Sequence, residues 1–285
     1  MLNQIKTVAL LGLLSALLTT ISYGVIGGTG GAIIGIVLTA AMNFSAWYYS
    51  DKIALAAYGA RPVTASRSPK IYSMVERLCQ RAGLPVPAVY TIPTPAANAF
   101  ATGRDPEHAA IAFTDGILNL LSDDELEGVI AHELSHIQNR DTLTQAVAAT
   151  VAGAISLLAQ MASNAMWFEV GGGDRSDRNP FGLILTVIFA PIAATAIQLA
   201  LSRTREFSAD TSAAKLTGNP RALANALQRL ESSARLMPIQ SNPAFAPLLI
   251  VNFSGGDWYR SLFSTHPSTQ ARIKNLLKLE QVQRR

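Results

Sequence analysis

The sequence predicts a mainly α-helical integral membrane protein in which four transmembrane helices form two hairpins. Two observations support this fold class. Of the 285 residues, 49% are hydrophobic and only 15% are charged, whereas soluble domains carry about 25% charged residues. The apolar residues are also concentrated in long stretches without a charged side chain, and a membrane-spanning helix needs about 20 such residues.

The first charge-free stretch extends from Thr7 to Ser50 and is interrupted in its middle by glycines. Its length accommodates two spans of about 20 residues each, so residues 1–50 are predicted to form an N-terminal transmembrane hairpin. The aromatic residues at 47–49 are typical of a membrane interface. A cleaved signal peptide is the alternative, and the second apolar run disfavours it.

Two further charge-free stretches, 142–168 and 179–202, are separated by a short polar segment. They predict a second transmembrane hairpin over 142–202, with a pair of buried helices in a soluble core as the alternative. Basic residues flank the stretches mainly on one side, so the positive-inside rule predicts cytoplasmic termini. Residues 51–141 and 203–285 then share the cytoplasmic compartment and can build one catalytic domain from two parts.

The composition excludes several kinds of site. One cysteine, Cys79, excludes an intramolecular disulfide, and four histidines exclude a large Cys/His zinc array. Cys79 belongs to a predicted amphipathic helix around residues 71–82 and is expected to be a small buried residue. The net charge is +4, but no block of Lys and Arg is present, so no nucleic-acid partner is expected.

The most specific signal is the sequence HELSH at residues 132–136. A capping-box sequence at 122–125 precedes it and apolar residues follow at helical spacing, so the motif is predicted to lie on a helix. His132 and His136 are then one turn apart on the same face, where both imidazoles can bind one zinc ion. Glu133 projects beside them, in the position of a general base that accepts a proton from water.

A catalytic zinc usually has three protein ligands and one open position. Glu206 is the strongest candidate for the third ligand, because it follows the last charge-free stretch, 179–202, and is predicted to lie on the same side of the membrane as His132. Asp210 comes one helical turn later, so one carboxylate can bind the ion while the other orients a ligating histidine. The alternative is that both are solvated helix charges paired with Arg203 or Arg205.

Two strand-like segments, Ala88–Ile92 and Ala110–Thr114, flank residues 98–103. This order predicts a small sheet with an edge strand. An extended substrate can add to such an edge through backbone hydrogen bonds; the alternative is an ordinary loop before a core strand. The candidate substrate-binding residues are Asn98, Ala99, Phe100 and Ala101.

The order of these motifs resembles that of the HtpX-type integral-membrane zinc metalloproteases and, more distantly, that of the CAAX prenyl endopeptidases. The resemblance covers nearly the whole chain and implies a zincin-like α+β metalloprotease domain with a small sheet. The matching segments are the two apolar hairpins, NAFATG at 98–103, HELSH at 132–136, EFSAD at 206–210, and Thr265-His266-Pro267 followed by Arg272.

The resemblance also implies a set of site residues. His132, His136 and Glu206 would hold one Zn²⁺ per chain, with Glu133 as the catalytic base, in agreement with the site argued from the residues. For His266 it implies a catalytic position near the metal, as an oxyanion donor or temporary fourth ligand. The local sequence around His266 indicates only the entry to a helix, so both interpretations stay open.

The function implied by the resemblance is a zinc endopeptidase of the cell inner membrane that acts in the stress response. It would hydrolyse peptide bonds in misfolded or membrane proteins. Its partners would be the lipid bilayer and other membrane proteases or chaperones.

Three other functions fit the sequence less well than a zinc endopeptidase. A CAAX-type prenyl-peptide endopeptidase is the nearest alternative, although four spans and a short chain fit the enclosed chamber of those enzymes poorly. A membrane scaffold with a structural zinc would normally use four protein ligands and would not need Glu133. A metal transporter would need ionisable residues inside the spans, and the three charge-free stretches that hold the four predicted spans contain no Asp, Glu, Lys, Arg or His.

Overall fold

A computed structural model describes residues 28–150, 203–239, 245–251 and 267–283, together with scattered helical residues between 5 and 23. Most of the predicted second hairpin, residues 151–202, lies outside the described residues. The described part is mainly helical with a small mixed sheet. In chain order its elements are α1 (Gly28–Tyr48), α2 (Ser50–Ala57), β1 (Arg61–Pro62), α3 (Pro69–Ala82), β2 (Ala88–Ile92), β3 (Ala99–Gly103), a 3₁₀ turn (Pro106–His108), β4 (Ala109–Thr114), α4 (Asp115–Leu120), α5 (Asp123–Gln138), α6 (Arg203–Thr217), α7 (Pro220–Leu236), a 3₁₀ turn (Ala246–Leu248) and α8 (Thr269–Gln283).

Helix α1 supplies the second half of the predicted N-terminal hairpin. Among the described residues it is the one helix that is long and apolar enough to cross a membrane. Its apolar side chains are exposed, among them Ile33 at 62% and Phe44 at 57%, and such a surface suits lipid better than water. The Asn43 side chain donates a hydrogen bond to the Leu11 carbonyl at 3.3 Å, so α1 contacts a residue of the first half of the apolar stretch.

The sheet has the strand order β1-β2-β4-β3 within the described residues. Strands β2 and β4 are parallel, whereas β3 is antiparallel to β4 and lies at the edge. The two strand-like segments and the edge position of residues 98–103 are therefore confirmed. Strand β1 was not predicted, because two residues, Arg61 and Pro62, carry no periodic pattern.

Helix α5 carries the HELSH motif and is buried between β3 and the helices α3, α6 and α7. It begins with the predicted capping box: the Ser122 hydroxyl accepts from the Glu125 amide, and the Glu125 carboxylate accepts from the Ser122 amide at 2.9 Å. Because this cap satisfies amides that have no partner inside the helix, the helix starts at a defined residue. That start determines which face its later histidines occupy.

Replacing Gly116 with alanine is expected to destabilise the fold. The new Cβ atom would overlap the backbone carbonyl of Pro95, and the Gly116 amide is held by a 3.0 Å bond to the Thr94 carbonyl. Overpacking of this kind costs about 1–3 kcal/mol, and each kcal/mol lowers the melting temperature of a chain of this size by about 2–4 °C. Gly30→Ala is the matched control, because a Cβ atom there meets nothing within 4 Å. Equal melting temperatures for the two variants would contradict the described packing.

Cys79 is fully buried, as expected, and burial raises the pKa of its thiol to about 11. Only the thiolate reacts with alkylating reagents, so native protein at pH 8 should resist labelling that is rapid after denaturation. The single cysteine in the chain makes the assay unambiguous. Rapid labelling under native conditions would show that α3 does not pack as described.

Candidate metal centre

Three buried side chains from two helices meet at one point. Helix α5 presents His132 and His136, and the first turn of α6 presents Glu206. The two Nε2 atoms are 3.2 Å apart, and each lies 3.6 Å from a carboxylate oxygen of Glu206. The three residues each offer one ligand atom within 4.8 Å of the others.

These distances fit a single small metal ion. Zinc bonds of about 2.0–2.1 Å in tetrahedral geometry separate two ligand atoms by roughly 3.3–3.4 Å, close to the observed 3.2 and 3.6 Å. The two imidazole rings are nearly perpendicular, at 89°. Two nitrogens and one carboxylate form the donor set of many catalytic zinc sites, so the residues present fit this ion.

Asp210 orients the first histidine. Its Oδ1 atom lies 3.0 Å from Nδ1 of His132, so the Nδ1–H donates to Asp210. Nε2, which lies 3.6 Å from Glu206, is then the ring atom that can bind an ion. Burial raises the pKa of Asp210, but the charge and hydrogen bonds of Arg272 outweigh this effect and hold it below the usual value. The carboxylate therefore stays ionised, as an orienting acceptor must.

Asp141 orients the second histidine, a role that was not predicted from the sequence. Its Oδ2 atom lies 3.1 Å from Nδ1 of His136, and its Oδ1 atom accepts from Arg205 at 3.3 Å. The preceding Arg140 adopts a left-handed conformation with φ of 57°, which turns the chain sharply after α5 and returns Asp141 toward His136. The only available signal was an acidic residue just past the end of the motif helix.

Glu133 lies beside the three ligand side chains and is 3% exposed. Burial raises the pKa of its carboxyl group above the usual value, while the two histidines and the Ala101 backbone amide act in the opposite direction. A general base benefits from a raised pKa, because proton transfer is most effective when the pKa is near the operating pH.

The buried charges around the histidines sum to a net negative value. Among the described residues, four buried carboxylates lie here with two guanidinium groups, those of Arg205 and Arg272. Burial and Arg272 lower the pKa of His132, but hydrogen bonds to Asp210 and Glu206 outweigh them and raise it to about 9. The same negative surroundings attract a dication, which would displace that proton on binding. The carboxylates are Glu133, Asp141, Glu206 and Asp210.

Comparison with known proteins agrees with this geometry. The sequence pattern of Peptidase family M48 matches residues 65–280. The chain belongs to Peptidase family M48. It is 65% identical over 280 residues to a Protease HtpX homolog of Trichormus variabilis, covering 98% of this chain and 97% of that protein. It is 49% identical over 276 residues to a Protease HtpX homolog of Pyrococcus furiosus, covering 96% and 95% respectively. The chain is therefore a membrane metalloprotease.

The crystal structure of S. mikatae Ste24p shares the fold of this M48 chain. The two align with a TM-score of 0.50 and 19% sequence identity, over 93% of this chain and 65% of the Ste24p chain. The M48 chain thus spans about two thirds of the length of that structure. A likeness at this identity shows a common fold and does not favour a CAAX-type activity over the HtpX-type one.

The predicted substrate residues of the M48 domain occupy different environments. Phe100 is fully buried, and its ring lies 5.1 Å from that of Tyr58. The Asn98 amide donates to the Val251 carbonyl at 2.7 Å, and the Ala99 carbonyl accepts from the Ile250 amide at 3.1 Å. A segment of the chain itself therefore already bonds to the first part of the β3 edge.

The rest of the β3 edge is formed by the backbone groups of Ala101 and Gly103. The Thr114 amide donates to the Asn98 carbonyl at 3.0 Å, and antiparallel pairs alternate, so residues 100 and 102 also bond to β4. The backbone groups of Ala101 and Gly103 consequently point away from the sheet, beside α5. The remaining predicted site residue, His266, lies outside the described residues.

Replacing Asp141 with asparagine is expected to weaken metal binding by about 10–100-fold, the usual cost of losing a carboxylate that orients a ligating histidine. Competition with a chromogenic chelator measures the dissociation constant. Asp105→Asn is the matched control, since Asp105 also lies against a histidine Nδ1, 2.6 Å away in His108, but on the exposed surface. Equal metal affinity in both variants would show that Asp141 does not support the centre.

Proposed function

We propose that this metalloprotease binds one zinc ion through His132, His136 and Glu206 and hydrolyses peptide bonds in misfolded or membrane proteins. The convergence of the three donor groups within 4.8 Å, with Glu133 buried beside them, carries the proposal. The hydrogen bonds that Asp210 and Asp141 accept from the Nδ1–H groups of the two histidines support it further, because they leave both Nε2 atoms available to the ion.

The bound ion would supply Lewis acidity, lowering the pKa of a coordinated water and polarising the substrate carbonyl. Glu133 accepts the proton of the attacking water and then donates it to the amine nitrogen of the leaving fragment. The carboxyl group suits both steps because burial raises its pKa while the neighbouring imidazoles and the Ala101 amide favour the ionised form.

The substrate strand is proposed to bind at the edge of β3, next to α5. The outward carbonyl of Ala101 and amide of Gly103 would pair with an extended peptide, holding its scissile bond beside Glu133. Asn98 and Ala99 would mark the end of the substrate-binding edge, where residues 250 and 251 already bond to them. Pairing along the edge uses backbone groups and does not depend on the side chains of the substrate, which suits a protease acting on unfolded segments.

The predicted topology remains part of the proposal: four spans in two hairpins, within the inner membrane, with both termini and the catalytic domain in the cytoplasm. One contact supports a catalytic domain held close to the bilayer. The Arg104 guanidinium lies 4.4 Å from the ring centroid of Tyr48 and donates to the Tyr48 carbonyl at 3.2 Å. Arg104 directly follows β3, so the substrate edge is tied to the cytoplasmic end of α1.

Two further assignments complete the proposal. His266 would stabilise the oxyanion or occupy the fourth metal position, as the family resemblance implies. Other membrane proteases or chaperones would deliver damaged membrane proteins to the site.

The decisive experiment compares purified wild type with Glu133→Gln in detergent, recording zinc content and cleavage of an unfolded protein. Both are expected to hold one zinc per chain, while cleavage by the variant falls by about 10²–10⁴-fold, the usual contribution of a general base. Glu127→Gln is the matched control, because Glu127 lies on the same helix but pairs with Arg77 at the surface.

Unchanged cleavage by Glu133→Gln would show that Glu133 is not the general base. A wild-type protein without zinc would contradict the proposed metal. Reduced cleavage by Glu127→Gln would show that the effect belongs to α5 as a whole and not to the base.

A further inference from the structure

Arg272, in the first turn of α8, is 2% exposed. Burying a guanidinium group is costly unless its donors are all used by charged or polar partners. Helix α8 packs on α6 and α7. The Arg272 side chain therefore reaches the centre from a helix that carries none of the three candidate metal ligands.

The Arg272 guanidinium forms a two-point contact with Asp210. Its Nε atom donates to Oδ2 at 2.9 Å and its Nη2 atom donates to Oδ1 at 2.7 Å. The same Oδ1 atom is the one that lies 3.0 Å from Nδ1 of His132. Arg272 therefore fixes the acceptor that determines the ring orientation of His132.

The third nitrogen of the guanidinium, Nη1, is also used. It lies 3.3 Å from Oε2 of Glu206 and donates to the Ile250 carbonyl at 3.3 Å. One planar group thus contacts the ligand Glu206, the orienting Asp210 and the chain segment on the β3 edge. A lysine ammonium is a single point charge and cannot reproduce this fork.

We propose that Arg272 is a positioning residue that sets the metal affinity of the centre by holding Glu206 and Asp210 in the geometry required by the ion. This inference rests on the metal site of the proposed function. Arg272 acts on His132 through Asp210 and also directly, because its Nη2 atom lies 3.3 Å from both ring nitrogens of His132. It acts directly on the carboxylate of Glu206 as well.

A second arginine allows a purely structural role to be separated from this one. Arg221 makes the same two-point contact with Glu280 between α7 and α8, with Nε at 3.0 Å and Nη2 at 2.7 Å. In that pair Arg221 is exposed while Glu280 is largely buried, and neither is a ligand side chain. Arg221→Lys therefore imposes the same chemical change on a neighbouring helix pair that also includes α8, without altering the centre.

The experiment measures the zinc dissociation constant of wild type, Arg272→Lys and Arg221→Lys by chelator competition, with the absorption spectrum of the cobalt-substituted proteins as a second readout. Arg272→Lys is expected to bind zinc about 10–100-fold more weakly, with a shifted cobalt spectrum. Arg221→Lys should match wild type in both. Asp210→Asn weakens the same Arg272–Asp210 contact from the carboxylate side. The double variant should therefore lose less zinc affinity than the sum of the losses in the two single variants.

Zinc affinity of Arg272→Lys within twofold of wild type would overturn the inference while leaving the proposed function intact. Equal weakening in Arg221→Lys would also overturn it, because the effect would then belong to helix packing. If Arg272→Lys does not fold, Asp210→Asn decides: affinity within twofold of wild type refutes the positioning role. Wild type that binds neither zinc nor cobalt would instead refute the proposed function.

Discussion

In the described part of the chain, four carboxylates are buried around two imidazoles, and the surrounding helices have to compensate their charge. Charged groups taken out of water need partners of opposite sign, and here the partners arrive from separate parts of the chain. Arg205 pairs with Asp141 and Arg272 pairs with Asp210. With two guanidinium groups against four carboxylates among the described residues, a dication restores the balance, so assembly of the fold and binding of the ion support each other.

The same arrangement connects the fold to its activity at the membrane. Helix α5 carries the proposed base Glu133 and runs beside β3, whose outward backbone groups are the proposed binding edge for an extended chain. The residue after β3, Arg104, is bound to the end of α1 through Tyr48. In the proposed function, a peptide emerging from the bilayer surface would therefore meet the sheet edge and Glu133 together.

Much of the centre could be predicted because its signals are local. The capping box at 122–125, the spacing of HELSH, and the single turn between Glu206 and Asp210 all follow from helix geometry. Asp141 and the occupied side chain of Asn98 could not be predicted in this way. The first depends on a left-handed residue at a helix end, and the second on contact with Val251, which is 153 positions away.

Zinc-edge X-ray absorption on the purified chain in detergent would observe the ligands of the proposed centre themselves. We expect one zinc per chain, bound by two imidazole nitrogens and by oxygen ligands at about 2.0–2.1 Å. We expect no sulfur ligand, since Cys79 is buried in the core. A protein that retains no metal, or a spectrum dominated by sulfur at about 2.3 Å, would contradict the centre formed by His132, His136 and Glu206.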